Sequence, residues 1–271
     1  MPRDWDAFYR QAALERAPAQ VVRACLEHGL VQGAGAKKFY LMGPMFRYER
    51  PQKGRYRQFH QINCEALGCN APELDAEVIL MLLDLLGRLG LKEVRLFINS
   101  LGCPACTGEF KARLKAFLAG REGWCEDCQR RRQVNPLRVL DCKSQHCQSL
   151  LAGAPVMEDN LCPECARHYH RVLALLDGAG VTYTKNPRLV RGLDYYSRTA
   201  FEVTAAGLGA QDAVAGGGRY NGLAKELGGR DLPGLGFAIG EERLLEVLPP
   251  DQAPRDPAPV FVAALGEAAR D

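Results

Sequence analysis

Between residues 46 and 65, arginine, glutamate, asparagine and glutamine side chains lie close enough together to hold a phosphate and read a small polar ligand. The stretch runs Phe46-Arg47-Tyr48-Glu49-Arg50-Pro51-Gln52-Lys53-Gly54-Arg55-Tyr56-Arg57-Gln58-Phe59-His60-Gln61-Ile62-Asn63-Cys64-Glu65. A guanidinium grips phosphate oxygens with a planar, two-pronged fork. Amides and carboxylates can orient a ligand that carries both donors and acceptors. Arg50, Lys53, Arg55 and Arg57 add enough positive charge to meet a polyphosphate. An ordinary exposed hairpin face would show the same pattern, so the residues alone leave both readings open.

A second chemistry lies in eight cysteines that fall into four close pairs: Cys103 with Cys106, Cys125 with Cys128, Cys142 with Cys147, and Cys162 with Cys165. Zinc takes four soft ligands in a tetrahedron, and a short knuckle supplies two of them. Four pairs could therefore build two structural zinc sites; the bland alternative is a set of small buried thiols. His146, His168 and His170 lie among them and could replace a cysteine, but each reads more simply as a satisfied or exposed histidine.

The elements that must position these groups follow from pattern. Aromatic content predicts a strand over 38–48, Pro51 to Gly54 carries turn chemistry, and 58–67 reads as the returning strand. Side chains alternate between the faces of a strand. Arg47 and Glu49 then share one face, as do Gln61, Asn63 and Glu65, while Ile62, Cys64 and Ala66 point to a core. Apolar periodicity predicts helices over 20–29, 72–89, 109–118 and 164–176. Strands are expected over 93–99, 181–183, 199–203 and 235–239, with a helix over 241–247. The glycine run at 215–220 reads as a flexible turn before a helix over 221–227.

Composition narrows the class. The chain has 271 residues and a formal charge of +3, too little to argue for nucleic-acid binding without local patches. It has no apolar run of membrane-spanning length, and residues 1–6 do not resemble a signal peptide. An odd count of 11 cysteines favours reduced thiols or metal, hence a cytoplasmic setting.

Three stretches carry a family resemblance. Residues 46–65 resemble motif 2 of the class II aminoacyl-tRNA synthetases, in the form seen in histidyl-tRNA synthetases. Arg191-Gly192-Leu193-Asp194-Tyr195-Tyr196 is similar to that family's own signature, and 216–244 is similar to motif 3. The resemblance covers about 21–247. It implies an α+β fold, an antiparallel sheet flanked by helices, with the cysteine-rich segment as a small, partly helical insertion. The domain reading is an unmatched segment over 1–18, catalytic core over 19–102 and 181–248, insertion over 103–180, linker over 249–259, and the start of an anticodon-binding domain over 260–271.

The same resemblance implies a histidine–tRNA ligase that uses ATP with Mg²⁺, histidine and tRNA(His). Arg47 would hold the α-phosphate, and Arg191 would add a second cation at the histidine carboxylate and α-phosphate. Gln61 would orient the carboxylate end, Glu65 and Tyr196 would read the imidazole nitrogens, and Tyr195 would also belong to the histidine site. Arg55 and Arg57 would reach the ATP tail, and Arg243 would contact the nucleotide. The insertion, with Arg130, Arg131 and Arg132, would contact the tRNA acceptor arm. The family's amino-group acceptors fall on Arg16 and Pro18, with Glu15 one position away, so weak use of histidine is expected. Motif 1, which builds the family's homodimer, has no counterpart before them. Some relatives of this domain are instead non-catalytic regulatory subunits of histidine biosynthesis, and that reading, or an inactive fragment, stands as the alternative.

Overall fold

The computed structural model describes residues 17–33, 35–48, 56–190, 195–208 and 212–249. Its centre is a seven-stranded sheet in the order β1-β2-β7-β6-β5-β3-β4. The strands are β1 (Lys37–Phe46), β2 (Gln58–Leu67), β3 (Val94–Ser100), β4 (Tyr183–Lys185), β5 (Ser197–Ala205), β6 (Ala213–Arg219) and β7 (Gly234–Gly240). Neighbours are antiparallel except for the edge pair β3–β4, which is parallel.

The β1–β2 hairpin pairs without a slip from Lys37↔Leu67 to Phe46↔Gln58. Beyond it, Arg47 N–H donates to Arg57 O at 2.8 Å, so the ladder carries on toward the loop. On one face of the sheet pack helices α2 (Pro72–Arg88) and α7 (Pro163–Gly178). Helix α2 opens with Pro72 at its start and Glu73 and Asp75 in the first turn, where a helix favours negative charge. Its Leu74, Val78, Ile79, Leu82 and Leu86 meet Phe201, Val203, Leu235, Phe237 and Ile239 of the sheet. The other face carries a smaller cluster around Val22 and Cys25 of α1 (Ala17–Glu27), with Leu67, Tyr220 and Leu223.

The insertion has its own core of Phe110, Leu114, Leu118, Trp124, Val139, Leu140, Leu151 and Met157. It holds α3 (Pro104–Ala119), α4 (Glu126–Val134), α5 (Leu137–Leu140) and α6 (Gln145–Leu150). Helix α7 serves both bodies. Cys165 in its first turn belongs to the insertion core, while Tyr169, Val172, Leu173 and Leu176 lie in the main core.

One expectation is overturned. The glycine run is not a flexible turn: Ala215, Gly216, Gly217 and Gly218 are interior residues of β6, buried between β5 and β7. Glycine is a poor strand former by itself. Here its missing side chain is what the packing needs. A Cβ at Gly217 would lie 2.6 Å from Phe201 Cζ and overlap the Gly236 carbonyl. The helix that follows is also shorter than expected, α8 (Leu223–Glu226), and the last one is α9 (Glu241–Val247).

Candidate active site

The register lines up a row of small residues across the sheet. Glu65 faces Gly236, Gly236 faces Gly218, and Gly218 faces Ala200. One step along, Asn63 faces Ala238, Ala238 faces Gly216, and Gly216 faces Glu202. Because side chains alternate, these residues share the face opposite the main core. The result is a trough floored by glycine and alanine, with polar side chains of β2 along one wall.

The glycines are required where side chains lie over them. A Cβ at Gly236 would overlap Glu65 Oε2, and one at Gly234 would overlap the Tyr220 ring. A Cβ at Gly218 would sit 3.0 Å from Tyr196 Cδ1. At all three positions the missing side chain makes room for the site's own residues.

Toward the hairpin, a cleft of ≈ 320 Å³ is lined by Arg47, Phe59, Gln61, Glu202, Glu242 and Arg243, above the backbone of Gly216 and Gly240. Arg47 lies over the Phe59 ring, 4.2 Å from its centroid, and its Nε donates to Tyr56 O. Arg243 donates to Ala213 O at 2.9 Å. Glu242 ties α9 to the hairpin by accepting from His60 N–H at 2.8 Å. Arg57 lies 5.5 Å from the Tyr48 ring centroid. Asp141 and Lys143 of the insertion also reach this cleft.

At the other end of the trough, Glu65 is 3% exposed. Its Oε2 accepts a hydrogen bond from the Tyr220 hydroxyl. Burial pushes its carboxyl up to about 8, although the Tyr220 hydrogen bond opposes the shift. Burial and the neighbouring Glu65 charge push the Tyr220 phenol well above its ordinary range. Tyr195 and Tyr196 meet Tyr220 edge to face, with ring centroids 6.1 and 6.5 Å from it. They also line a second cavity of ≈ 360 Å³ beside Leu101, Cys103 and Lys111. Asn63, 1% exposed, keeps an amide nitrogen with no hydrogen-bond partner among the described residues.

Beneath the floor, Arg219 is fully buried and holds Asp75 through Nε at 3.0 and 2.9 Å. It also donates to Cys69 O and Ala71 O, both at 3.0 Å. His168 Nε2 lies 3.2 Å from Asp75 Oδ1. Burial pushes the Asp75 carboxyl up, but the His168 hydrogen bond and the Arg219 guanidinium outweigh it and hold it below the usual range.

A family model described as Histidyl-tRNA synthetase matches residues 17–105 and 129–244. The chain belongs to the histidyl-tRNA synthetase family. It is 55% identical to the protein named histidine–tRNA ligase from Oleidesulfovibrio alaskensis over 253 residues, 93% of this chain and 61% of that relative. A relative of the same name from Desulfosudis oleivorans is 55% identical over 257 residues, covering 94% and 61%. The chain thus spans about three fifths of the length of these relatives. Among solved structures, apo histidyl-tRNA synthetase from S. aureus matches with a TM-score of 0.65 at 39% identity, over 83% of this chain and 54% of that one. A Bacillus halodurans structure titled as an ATP phosphoribosyltransferase regulatory subunit/histidyl-tRNA synthetase shares the fold at 18% identity, TM-score 0.58, covering 86% and 62%.

Of the residues that the family motifs single out, Arg47, Gln61 and Arg243 come together in the cleft, and Glu65, Tyr195 and Tyr196 gather at Tyr220. Glu65 is a buried residue of the trough and does not line the cleft itself. Arg191, Arg55, Glu15 and Arg16 lie outside the described residues. Pro18 sits in the first turn of α1. Sequence reasoning missed Tyr220, Glu202, Asp141 and Lys143. Only Tyr220 left a signal, an aromatic two residues after the last of three glycines.

The eight paired cysteines gather into two groups. Cys103, Cys106, Cys162 and Cys165 form one; Cys125, Cys128, Cys142 and Cys147 form the other. Among the described residues no histidine joins either: His168 pairs with Asp75, and His170 faces Glu158 at 3.9 Å.

Proposed function

We propose that the chain acts as a histidine–tRNA ligase, forming histidyl-adenylate and pyrophosphate from histidine and ATP and passing the histidyl group to tRNA(His). The observation that carries this reading is the convergence of Arg47, Gln61 and Arg243, from separate elements, on one cleft at the end of the Glu65 trough. Such chemistry is mainly positioning and charge stabilisation. Arg47 would grip the α-phosphate with its fork, and Arg191 would add a cation where negative charge grows. Gln61 would orient the carboxylate end of histidine. Glu65, with Tyr195 and Tyr196, would receive the imidazole, and Tyr220 would hold the Glu65 carboxyl in place. Asn63 would offer its amide nitrogen as a further donor. Arg243 would pair with the nucleotide, and Arg55 and Arg57 would meet the ATP tail with its Mg²⁺.

The reading takes the insertion, with Arg130 to Arg132 on α4, as the contact for the tRNA acceptor arm, and zinc as the ion for its cysteine groups. It also takes a cytoplasmic setting from the family. No helix among the described residues is long and apolar enough to cross a membrane. The ligase is preferred to a regulatory subunit because the relatives near 55% identity carry the ligase name, whereas the structure with the regulatory title is 18% identical.

The test is histidine-dependent exchange of pyrophosphate into ATP. Exchange is expected, and Arg47→Lys should lower kcat about a hundredfold, because an ammonium cannot reproduce the fork. Binding of histidine with no exchange at any histidine concentration would select the regulatory reading instead.

A further inference from the structure

The two cysteine groups are built alike. In each, all four sulfurs lie within 4.8 Å of one another. A tetrahedron with Zn–S bonds near 2.3 Å places its sulfurs about 3.8 Å apart. Cys103 and Cys106 sulfurs are 3.6 Å apart, and Cys125 and Cys142 sulfurs 3.9 Å. That spacing has room for one ion and none for an iron–sulfur cluster inside the thiolates. Cys103, Cys125 and Cys162 are N-caps of α3, α4 and α7, and Cys106, Cys128 and Cys165 follow in the first turn. Helix N-termini favour thiolate over thiol. Backbone N–H groups already aim at sulfur, Cys162 N at Cys106 Sγ (3.1 Å) and Cys125 N at Cys147 Sγ (3.4 Å).

Their places in the fold differ. The first group sits where the insertion leaves and rejoins the sheet. Cys103 follows the end of β3, with Leu101 N–H and Gly102 O both bonded to Arg198 of β5. Cys162 and Cys165 open α7, whose later turns lie in the main core. Gly102, at φ +65°, turns the chain into this corner, where a Cβ would sit 2.5 Å from Cys106 Cβ. The second group lies within the insertion and joins α4 to α6, helices of only nine and six residues. Its member Cys142 stands between Asp141 and Lys143, the two insertion residues that reach the cleft of Arg47 and Arg243. Lys143 Nζ lies 3.2 Å from Asp141 and is largely exposed, so its ammonium is at the mouth of that cleft.

We infer that the two groups each hold one zinc and do different work. The first zinc fastens the insertion to the sheet. The second fixes the Cys142 knuckle so that Lys143 contacts the ATP phosphates. The occupancy stands on the sulfur geometry alone, whereas the role of Lys143 rests on the ligase reading.

Native mass spectrometry with elemental analysis of the purified chain, as it stands, should find two zinc ions, with about four protons released for each. Cys165→Ser and Cys147→Ser should each retain one. Zinc below two in the unsubstituted chain, or iron in its place, overturns the occupancy whatever the activity. For the division of labour, Lys143→Ala should keep both zincs and raise KM for ATP in pyrophosphate exchange about tenfold, the loss of one charge-assisted hydrogen bond, with KM for histidine unchanged. Cys147→Ser should reproduce that shift. An unchanged KM for ATP in Lys143→Ala, with exchange intact, refutes the second role. If exchange is absent from the unsubstituted chain, the ligase reading has failed, and equilibrium binding of ATP to the chain and to Lys143→Ala decides the Lys143 contact by itself.

Discussion

Replacing Glu65 by glutamine should make the ligand-free protein more stable and a poorer enzyme, with a size set by pH. Glu65 is buried at 3% exposure, and its described hydrogen-bond donor is the neutral Tyr220 hydroxyl. Burial raises its carboxyl from 4.5 to about 8. Between those values the fold keeps the proton and the unfolded chain releases it, so rising pH favours unfolding. The contribution is fully favourable below about pH 4.5 and is lost as pH climbs through about 8, at roughly 1.4 kcal/mol per unit. At pH 7 the accumulated cost is about 3 kcal/mol, and above pH 8 about 5 kcal/mol.

Glu65→Gln keeps the shape, stays neutral at every pH, and can still accept from Tyr220. The stability difference between the two proteins therefore isolates this one titration. Urea unfolding at about pH 5, 6, 7 and 8 should show the glutamine variant gaining steadily on the parent. Histidine-dependent exchange should fall in the same variant, because the imidazole loses a charged acceptor. Parallel stability curves across that range would refute the reasoning. They would mean that Glu65 is already ionised in the fold, and that burial does not decide its charge.

Two further outcomes follow from packing. Arg219→Met should destabilise the fold by about 3–5 kcal/mol in urea unfolding, because it strands the buried Asp75 charge and leaves the Cys69 and Ala71 carbonyls without their donor. Gly236→Ala should abolish histidine-dependent exchange and lower Tm, because its Cβ would occupy the space of Glu65 Oε2; Tm and exchange at parental values would show that the trough can widen.

Much of this was legible in sequence wherever the signal is local. The β2 strand was expected over 58–67 and is observed as Gln58–Leu67, because alternation over ten residues fixes both type and face. Helix α2 was equally plain from its apolar period and acidic first turn. The glycine run misled because glycine carries no strand preference of its own. What makes β6 a strand is Phe201 on one side and Phe237 on the other, contacts that no local window contains. The cysteine pairs were visible from spacing, but not which pairs combine. Residues 103 and 165 meet because α7 packs on β5, the sheet neighbour of β3, which spacing does not encode. The Tyr220–Glu65 hydrogen bond spans 155 positions and was invisible for the same reason.

Among the described residues, two deeply buried carboxylates are treated in opposite ways, and the contrast points to the site. Asp75 is surrounded: Arg219 grips both oxygens, His168 adds a contact, and the carboxyl stays ionised. That arrangement holds α2 to β6 and needs nothing more. Glu65 lies across the sheet, bonded to the residue next to Arg219, yet no described residue gives it a cation. A purely structural carboxylate would gain by becoming an amide, since burying an unpaired charge costs several kcal/mol. Keeping an acid there makes sense if a ligand supplies the missing donor. An imidazole can bring both an N–H and a proton, so its arrival would let Glu65 ionise inside the fold and recover part of what burial costs. On the ligase reading, the cost of burying Glu65 and the recognition of histidine would be two sides of one interaction.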